Sequence, residues 1–166
     1  MRPLRILHVM SYHSPWRWTD WQLESFQQAL GAPVEVKVFQ MDTKRNSTPE
    51  AKERVGAEAR ALVASWKPDM LYTTDDDAQL YVARHFVGTP LPIVYSGVNA
   101  DPAVYGFTGA AYVAGVKEQE HFGDSVRLLQ QLVPDTLWTR RGFEFAIAAQ
   151  LAIGKEPFEA VRVAKS

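Results

Sequence analysis

Ile6-Leu7-His8-Val9-Met10-Ser11 is a short, mostly apolar run closed by polar Tyr12-His13-Ser14 and by Pro15, which suits a strand buried on both faces of a parallel sheet. A helix follows from Trp18 to Leu30, where Trp18, Trp21, Leu23, Phe26 and Leu30 fall mainly on one face, with Thr19 or Asp20 as start signals and Gly31 as the stop. Val34 to Phe39 then alternates apolar and charged residues, the period of a strand exposed on one side and nearer a sheet edge. These elements make one βαβ unit.

The alternation continues along the chain. Ser47 or Thr48 caps a long helix with Pro49 at its first position, the stripe Val55, Ala59, Leu62, Val63, Trp66, and an end at Lys67-Pro68. Met70 to Thr74 reads as a strand, Asp77 to Phe86 as a helix, and Ile93 to Ser96 as a strand after the Pro90-Leu91-Pro92 turn. Ala111 to Val116 reads as a further short strand and His121 to Leu132 as a helix ended by Pro134. Arg141 to Ile153 is an alanine-rich helix ended by Gly154, and Phe158 to Val163 a closing strand. Strands joined by right-handed helical crossovers imply an α/β fold, a three-layer α/β/α sandwich around a mostly parallel, Rossmann-like sheet.

The 166 residues, 46% of them hydrophobic, suit one globular domain. A formal net charge of -1 and a pI near 6.4 give no positive field to gather nucleic acid or anionic lipid. Without cysteine there is no disulfide framework, thiolate metal site or cysteine nucleophile. Basic Met1 to Arg5 precedes an apolar run too short for a signal peptide, and no stretch approaches the roughly 18 apolar residues that span a bilayer, so no membrane insertion is expected.

In an open α/β sheet, ligands bind outside the carboxyl ends of the strands. Three polar clusters fall there: Ser11, Tyr12, His13 and Ser14 with Trp16 and Trp18; Thr74, Asp75, Asp76 and Asp77; and Ser96, Gly97 and Asn99 with Asp101. As a cleft wall, hydroxyls and an amide would fix a polar ligand, rings would cover its apolar part, and carboxylates would meet an ammonium group. As local structure, Asp75, Asp76 or Asp77 would cap the next helix, and Ser14-Pro15 and Asn99 with Asp101-Pro102 would shape turns. Trp21 is expected in the core, and Trp16 and Trp18 at the binding surface. Lys44 and Arg45, in the loop from Met41 to Asn46, either reach a ligand carboxylate or a partner protein or stand in solvent.

A hydrolase with His13 beside a Ser11 or Ser14 nucleophile is an alternative, but no Gly-x-Ser-x-Gly elbow is present. His8, His85 and His121 lack paired metal spacing, no glycine-rich phosphate loop occurs, and the place after the first strand lacks the acidic pair of a phosphate-acceptor receiver. No catalytic residue, metal or cofactor is expected.

Taken in order, Ile6 to His13, Met41-Asp42-Thr43-Lys44-Arg45, Thr74-Asp75-Asp76-Asp77-Ala78 and Pro92 to Pro102 resemble the ABC-transporter substrate-binding protein family of the type I periplasmic-binding fold, whose relatives also serve as extracytoplasmic sensor domains. The resemblance runs through Gly115-Val116 to Pro134-Asp135, so residues 1–135 are similar to the family's first lobe. It implies a periplasmic or extracytoplasmic protein that closes on a small molecule and hands it to a membrane permease, while the mixed aromatic and acidic loops themselves point to an amino acid or similar small zwitterion. Its first-lobe ligand loops match Ser11 to Ser14, Thr74 to Ala78 and Ser96 to Asn99. Where the family crosses into a second lobe, this chain instead reaches Trp138 to Gly142, and residues 136–166, with Phe143 to Pro157, look similar to the helix that returns to the first lobe, followed by a strand. The expectation is a single lobe over residues 1–166. Two copies facing one another would restore a cleft. A ligand-sensing or interaction module without transport is the alternative.

Overall fold

β1 (Leu4–Met10) lies at the centre of a five-stranded sheet and pairs in parallel with β2 (Val34–Gln40) on one side and β3 (Met70–Thr74) on the other. β4 (Ile93–Val98) and β5 (Val113–Lys117) extend the sheet beyond β3, giving the order β2-β1-β3-β4-β5 with every pair parallel. The helices are α1 (Arg17–Ala29), α2 (Pro49–Trp66) and α3 (Asp75–Tyr81), with short 3-10 turns at Ala83–Phe86 and Pro102–Tyr105. This computed structural model describes residues 2–119 except Ala32, together with His121, Asp124, Arg127, Leu128, Gln131 and Leu132.

Side chains alternate across the sheet, so the two faces of β1 meet different partners. Leu7 and Val9 join Leu71, Ile93 and Tyr95 against Val55, Ala59, Val63 and Trp66 of α2 and Ala78 of α3, an apolar core. Burying each such aliphatic side chain stabilises the fold by about 1.5–3 kcal/mol. Ile6, His8 and Met10 point to the opposite face, where the Phe26 ring of α1 packs on Tyr72 and His8. Helices on both faces make the expected three layers, an α/β sandwich around a parallel sheet.

The α2 start signal acts as read: Thr48 Oγ1 accepts from Ala51 N at 3.2 Å, with Pro49 next in the chain. Two readings need correction. Trp21 is not in the core; it is 53% exposed, with the Arg17 guanidinium 4.1 Å from its ring centre. α1 turns Thr19 and Phe26 inward, and Trp21, two residues past Thr19, lies about 200° further round the helix. The helix read from Asp77 to Phe86 begins instead at Asp75 and breaks at Val82 into a 3-10 turn.

The chain divides into two compact units, Met1–Glu118 and Gln119–Ser166. In the second, Asp124, Arg127, Leu128, Gln131 and Leu132 are helical, in keeping with the helix read from His121 to Leu132. Asp124 there accepts from Arg127 at 2.7 Å. The helix read from Arg141 to Ile153 and the strand read from Phe158 to Val163, both within 136–166, lie outside the described residues. Among the described residues no helix is long and apolar enough to cross a membrane.

Candidate ligand-binding site

The chain leaves β1 toward β2 on one side and takes up β3 on the other, so the strand order reverses between β1 and β3. Loops leaving such neighbours part around a crevice. Ser11, the first residue after β1, ties this junction together: its N–H and Oγ both donate to Thr74 O, at 3.2 and 2.7 Å. Its Oγ also accepts from Ala78 N at 2.7 Å, and its carbonyl accepts from Thr43 N and Oγ1, both at 2.9 Å. With 0% exposure and its hydroxyl spent on both sides, Ser11 is a structural staple. The hydrolase reading with Ser11 as nucleophile is corrected accordingly.

The acidic triplet does not cap α3; Thr74 holds the cap position without a side-chain bond, and Ser11 supplies one acceptor from the neighbouring strand. Each carboxylate instead reaches a different element. Asp75 Oδ1 accepts from Trp18 Nε1 of α1 at 2.9 Å. Asp76 accepts from Asn99 N at 3.3 Å, Asn99 Nδ2 at 3.2 Å, Ala100 N at 3.1 Å and Tyr105 OH at 2.8 Å, fixing the loop after β4. Asp77 pairs with Lys52 of α2 at 3.0 Å. The turn role read for Asp101 holds, since its Oδ1 accepts from Ala103 N at 2.9 Å.

Asp75 is the unusual member. It is 4% exposed, it sits at φ +62°, and no cation pairs with it among the described residues. Burial raises its carboxyl to about 6, opposed by the Trp18 bond and the nearby Gln22 amide, with Asp76 and Glu118 adding to the rise. Gly97, at φ +66°, faces it: a Cβ there would lie 3.3 Å from Asp75 Oδ1 and 3.4 Å from Gln22 Oε1, so the approach suits glycine.

Around this floor stands an aromatic rim. Trp16 packs against Tyr12 at 5.3 Å and His13 at 5.8 Å between ring centres, and Lys44 Nζ sits 4.5 Å from the Tyr12 ring and 4.9 Å from Trp16. Lys44 is therefore engaged with rings, not simply solvated. His13 Nδ1 lies 3.0 Å from Asp42 Oδ1, a close approach without good hydrogen-bond alignment. Burial, then Asp75, Asp77 and Asp76, push the Tyr12 phenol up to about 12. On the other flank an open, mostly apolar groove of about 400 Å³ runs between α1 and β3, lined by Trp18, Trp21, Gln22, Ser25, Phe26 and Tyr72. Tyr72 OH lies 2.8 Å from Ser96 Oγ, which donates to Gln22 Oε1 at 3.4 Å.

The three loops singled out in the sequence thus meet at one sheet end. Ser11, Thr74 and Asp75 are buried there, Tyr12, His13, Trp16, Asp76, Asp77, Ser96 and Gly97 are partly exposed, and Ser14 and Asn99 are exposed. Sequence reasoning missed Gln22 and Tyr72, and the bond between Trp18 and Asp75, residues 57 apart in the chain. The described residues hold no cluster of three or more His or acidic side chains that could take a metal ion.

No protein-family model and no curated protein matches the chain. Solved structures do. The Streptococcus pneumonia ABC domain in complex with L-Trp matches with a TM-score of 0.60 at 14% identity, over 81% of this chain and 45% of that one. The likeness is one of fold, a parallel five-stranded α/β sheet flanked by helices. A ligand-free, open substrate binding protein with adhesive properties from Clostridium difficile matches at 0.55 and 13% identity, over 92% and 54%. A conserved domain protein of Vibrio cholerae matches at 0.55 and 16%, over 81% and 45%. The chain spans about half the length of these structures.

Proposed function

We propose that this chain binds a small solute at the carboxyl ends of β1, β3 and β4, without covalent chemistry, as the solute-binding part of an ABC transporter acting outside the cytoplasm. The observation that carries the reading is the floor at the β1/β3 switch point, where Asp75, buried and free of any described cation, faces Gly97 beneath the rim of Tyr12, His13 and Trp16. Ser14, Asp76, Asp77, Ser96 and Asn99 complete the polar wall, while Ser11 and Thr74 hold it in place. A buried carboxylate without a counter-ion favours an ammonium group, and the rings favour an apolar or aromatic body, so an amino acid is the substrate class. The L-Trp complex of a protein with this fold accords with that choice.

The matched structures are about twice as long, so this lobe supplies one wall and a second copy or a further domain supplies the other. A ligand held by one wall keeps fewer contacts, and affinity is the surplus over immobilisation. Delivery to a permease is the accompanying role.

Thermal unfolding with a panel of amino acids, L-tryptophan included, tests the reading. A bound ligand at a hundred times its dissociation constant adds about 2.7 kcal/mol of stability. Stabilisation that is lost in Trp16→Ala and in Asn99→Ala supports the site. A panel without any stabilising member at millimolar concentration would sink it in favour of an interaction module.

A further inference from the structure

His8 is the one imidazole on the central strand, and its surroundings give it nothing to bond. It is fully buried, and neither ring nitrogen has a hydrogen-bond partner. The ring lies 4.4 Å from that of Tyr72 on β3 and 5.7 Å from that of Phe26 on α1, and its neighbour across β1 and β2 is Val38. Of these surrounding groups only the Tyr72 phenol can titrate, and burial keeps it neutral. No charged side chain enters its balance: burial alone lowers the imidazole pKa, to about 3.

The helix above it is lightly held. Thr19 is the only buried residue of α1, and its Oγ1 also lacks a partner. The helix meets the sheet end mainly through Phe26, the bond from Trp18 to Asp75 and the Gln22 contact with Ser96. β1, by contrast, is bonded along its length to strands on both sides. An imidazolium trapped here would be an unpaired buried charge, and ring faces offer far less than the water it lost. Water reaches it at least cost when α1 lifts, because no ladder hydrogen bond has to break.

We propose that α1 is a proton-gated wall of this lobe: when His8 takes a proton from solvent, α1 leaves the sheet and draws Trp18 away from Asp75. Because the docked His8 has a depressed pKa, its contribution to docking is complete above the ordinary value of 6.5 and is lost as pH falls toward about 3. Within that window the opening equilibrium rises about tenfold per pH unit. Asp75 acts in the opposite sense. Its raised carboxyl makes docking more favourable as pH falls from about 6 to the ordinary 3.8, which masks His8 over part of the range.

Asp75→Asn removes the mask, keeps an acceptor for Trp18 and suits the positive φ. In the full chain carrying it, amide hydrogen exchange corrected for its intrinsic pH dependence should show opening of Arg17–Ala29 rising about fiftyfold from pH 6.5, where the exposed imidazole is already half protonated, to pH 4.5, with α2 unchanged. Adding His8→Phe should abolish the rise. Equal α1 opening at the two pH values, or the same rise in the double variant, overturns the proposal. Should either variant fail to fold, NMR titration of the His8 ring in the natural sequence decides. A ring that stays neutral until α1 exchanges supports gating, and one that titrates near 6.5 under a protected α1 refutes it. None of these readouts uses a ligand, so gating and solute binding can fail separately.

Discussion

The two faces of the sheet are built on different terms. Toward α2 and α3, Leu7, Val9, Leu71 and Ile93 meet Val55, Ala59 and Val63 in an almost wholly apolar layer. Toward α1, the same strands present His8, Tyr72, Thr74 and Ser96, the helix buries little, and a groove stays open beside it. One face holds the sheet together, and the other carries most of the buried unpartnered polar atoms among the described residues: both His8 nitrogens, Thr19 Oγ1 and Gln22 Nε2. Stability and responsiveness are thereby placed on opposite sides of one set of strands.

The largest effect separating the faces should come from Leu71→Ala. Leu71 is fully buried on the α2 and α3 side of β3. Its truncation leaves a cavity and should lower unfolding stability by about 2–5 kcal/mol in a urea titration. A loss below 1 kcal/mol would mean that this layer is not the one that holds the fold.

Much of this layering was readable beforehand. Apolar runs bounded by turns marked β1, β3 and β4, and Thr48-Pro49 with its stripe marked α2, because strand burial and helix capping leave local signatures. Where a signature was absent the reading slipped. The start of α3 at Asp75 depends on a left-handed backbone that an aspartate permits but does not announce. Trp21 could have served either face of α1, since a large ring on a short helix fits core or rim alike. The loops of the site were found because topology sends them to one edge. The division of labour among them was not, since it rests on hydrogen bonds that join distant residues: Ser11 reads as a ligand serine until its bonds to Thr74 and Ala78, 63 and 67 residues away, are seen.

Asp76 offers a middle-sized test, at the end of the sheet where the two faces meet. Its carboxylate gathers four donors from the loop after β4, one of them the hydroxyl of buried Tyr105. Asp76→Ala leaves that hydroxyl without its partner, so a loss of about 1–3 kcal/mol is expected. Faster hydrogen exchange should be confined to Asn99–Tyr105. Exchange that spreads evenly over all five strands would show that the carboxylate supports the whole sheet.

The smallest effect belongs to Trp21, and its smallness is informative. The ring is half exposed, packs under Arg17 and lines the groove beside α1. An exposed cation–π contact is worth about 0.5–1 kcal/mol, so Trp21→Ala should cost no more than about 1 kcal/mol. Truncating a core tryptophan would instead cost about 3–5 kcal/mol. Denaturant titration of the two variants, Trp21→Ala and Leu71→Ala, therefore reads the asymmetry of the sheet directly. A large loss at Trp21 would mean that α1 is anchored as firmly as α2, and a helix so anchored could not lift when His8 takes up its proton.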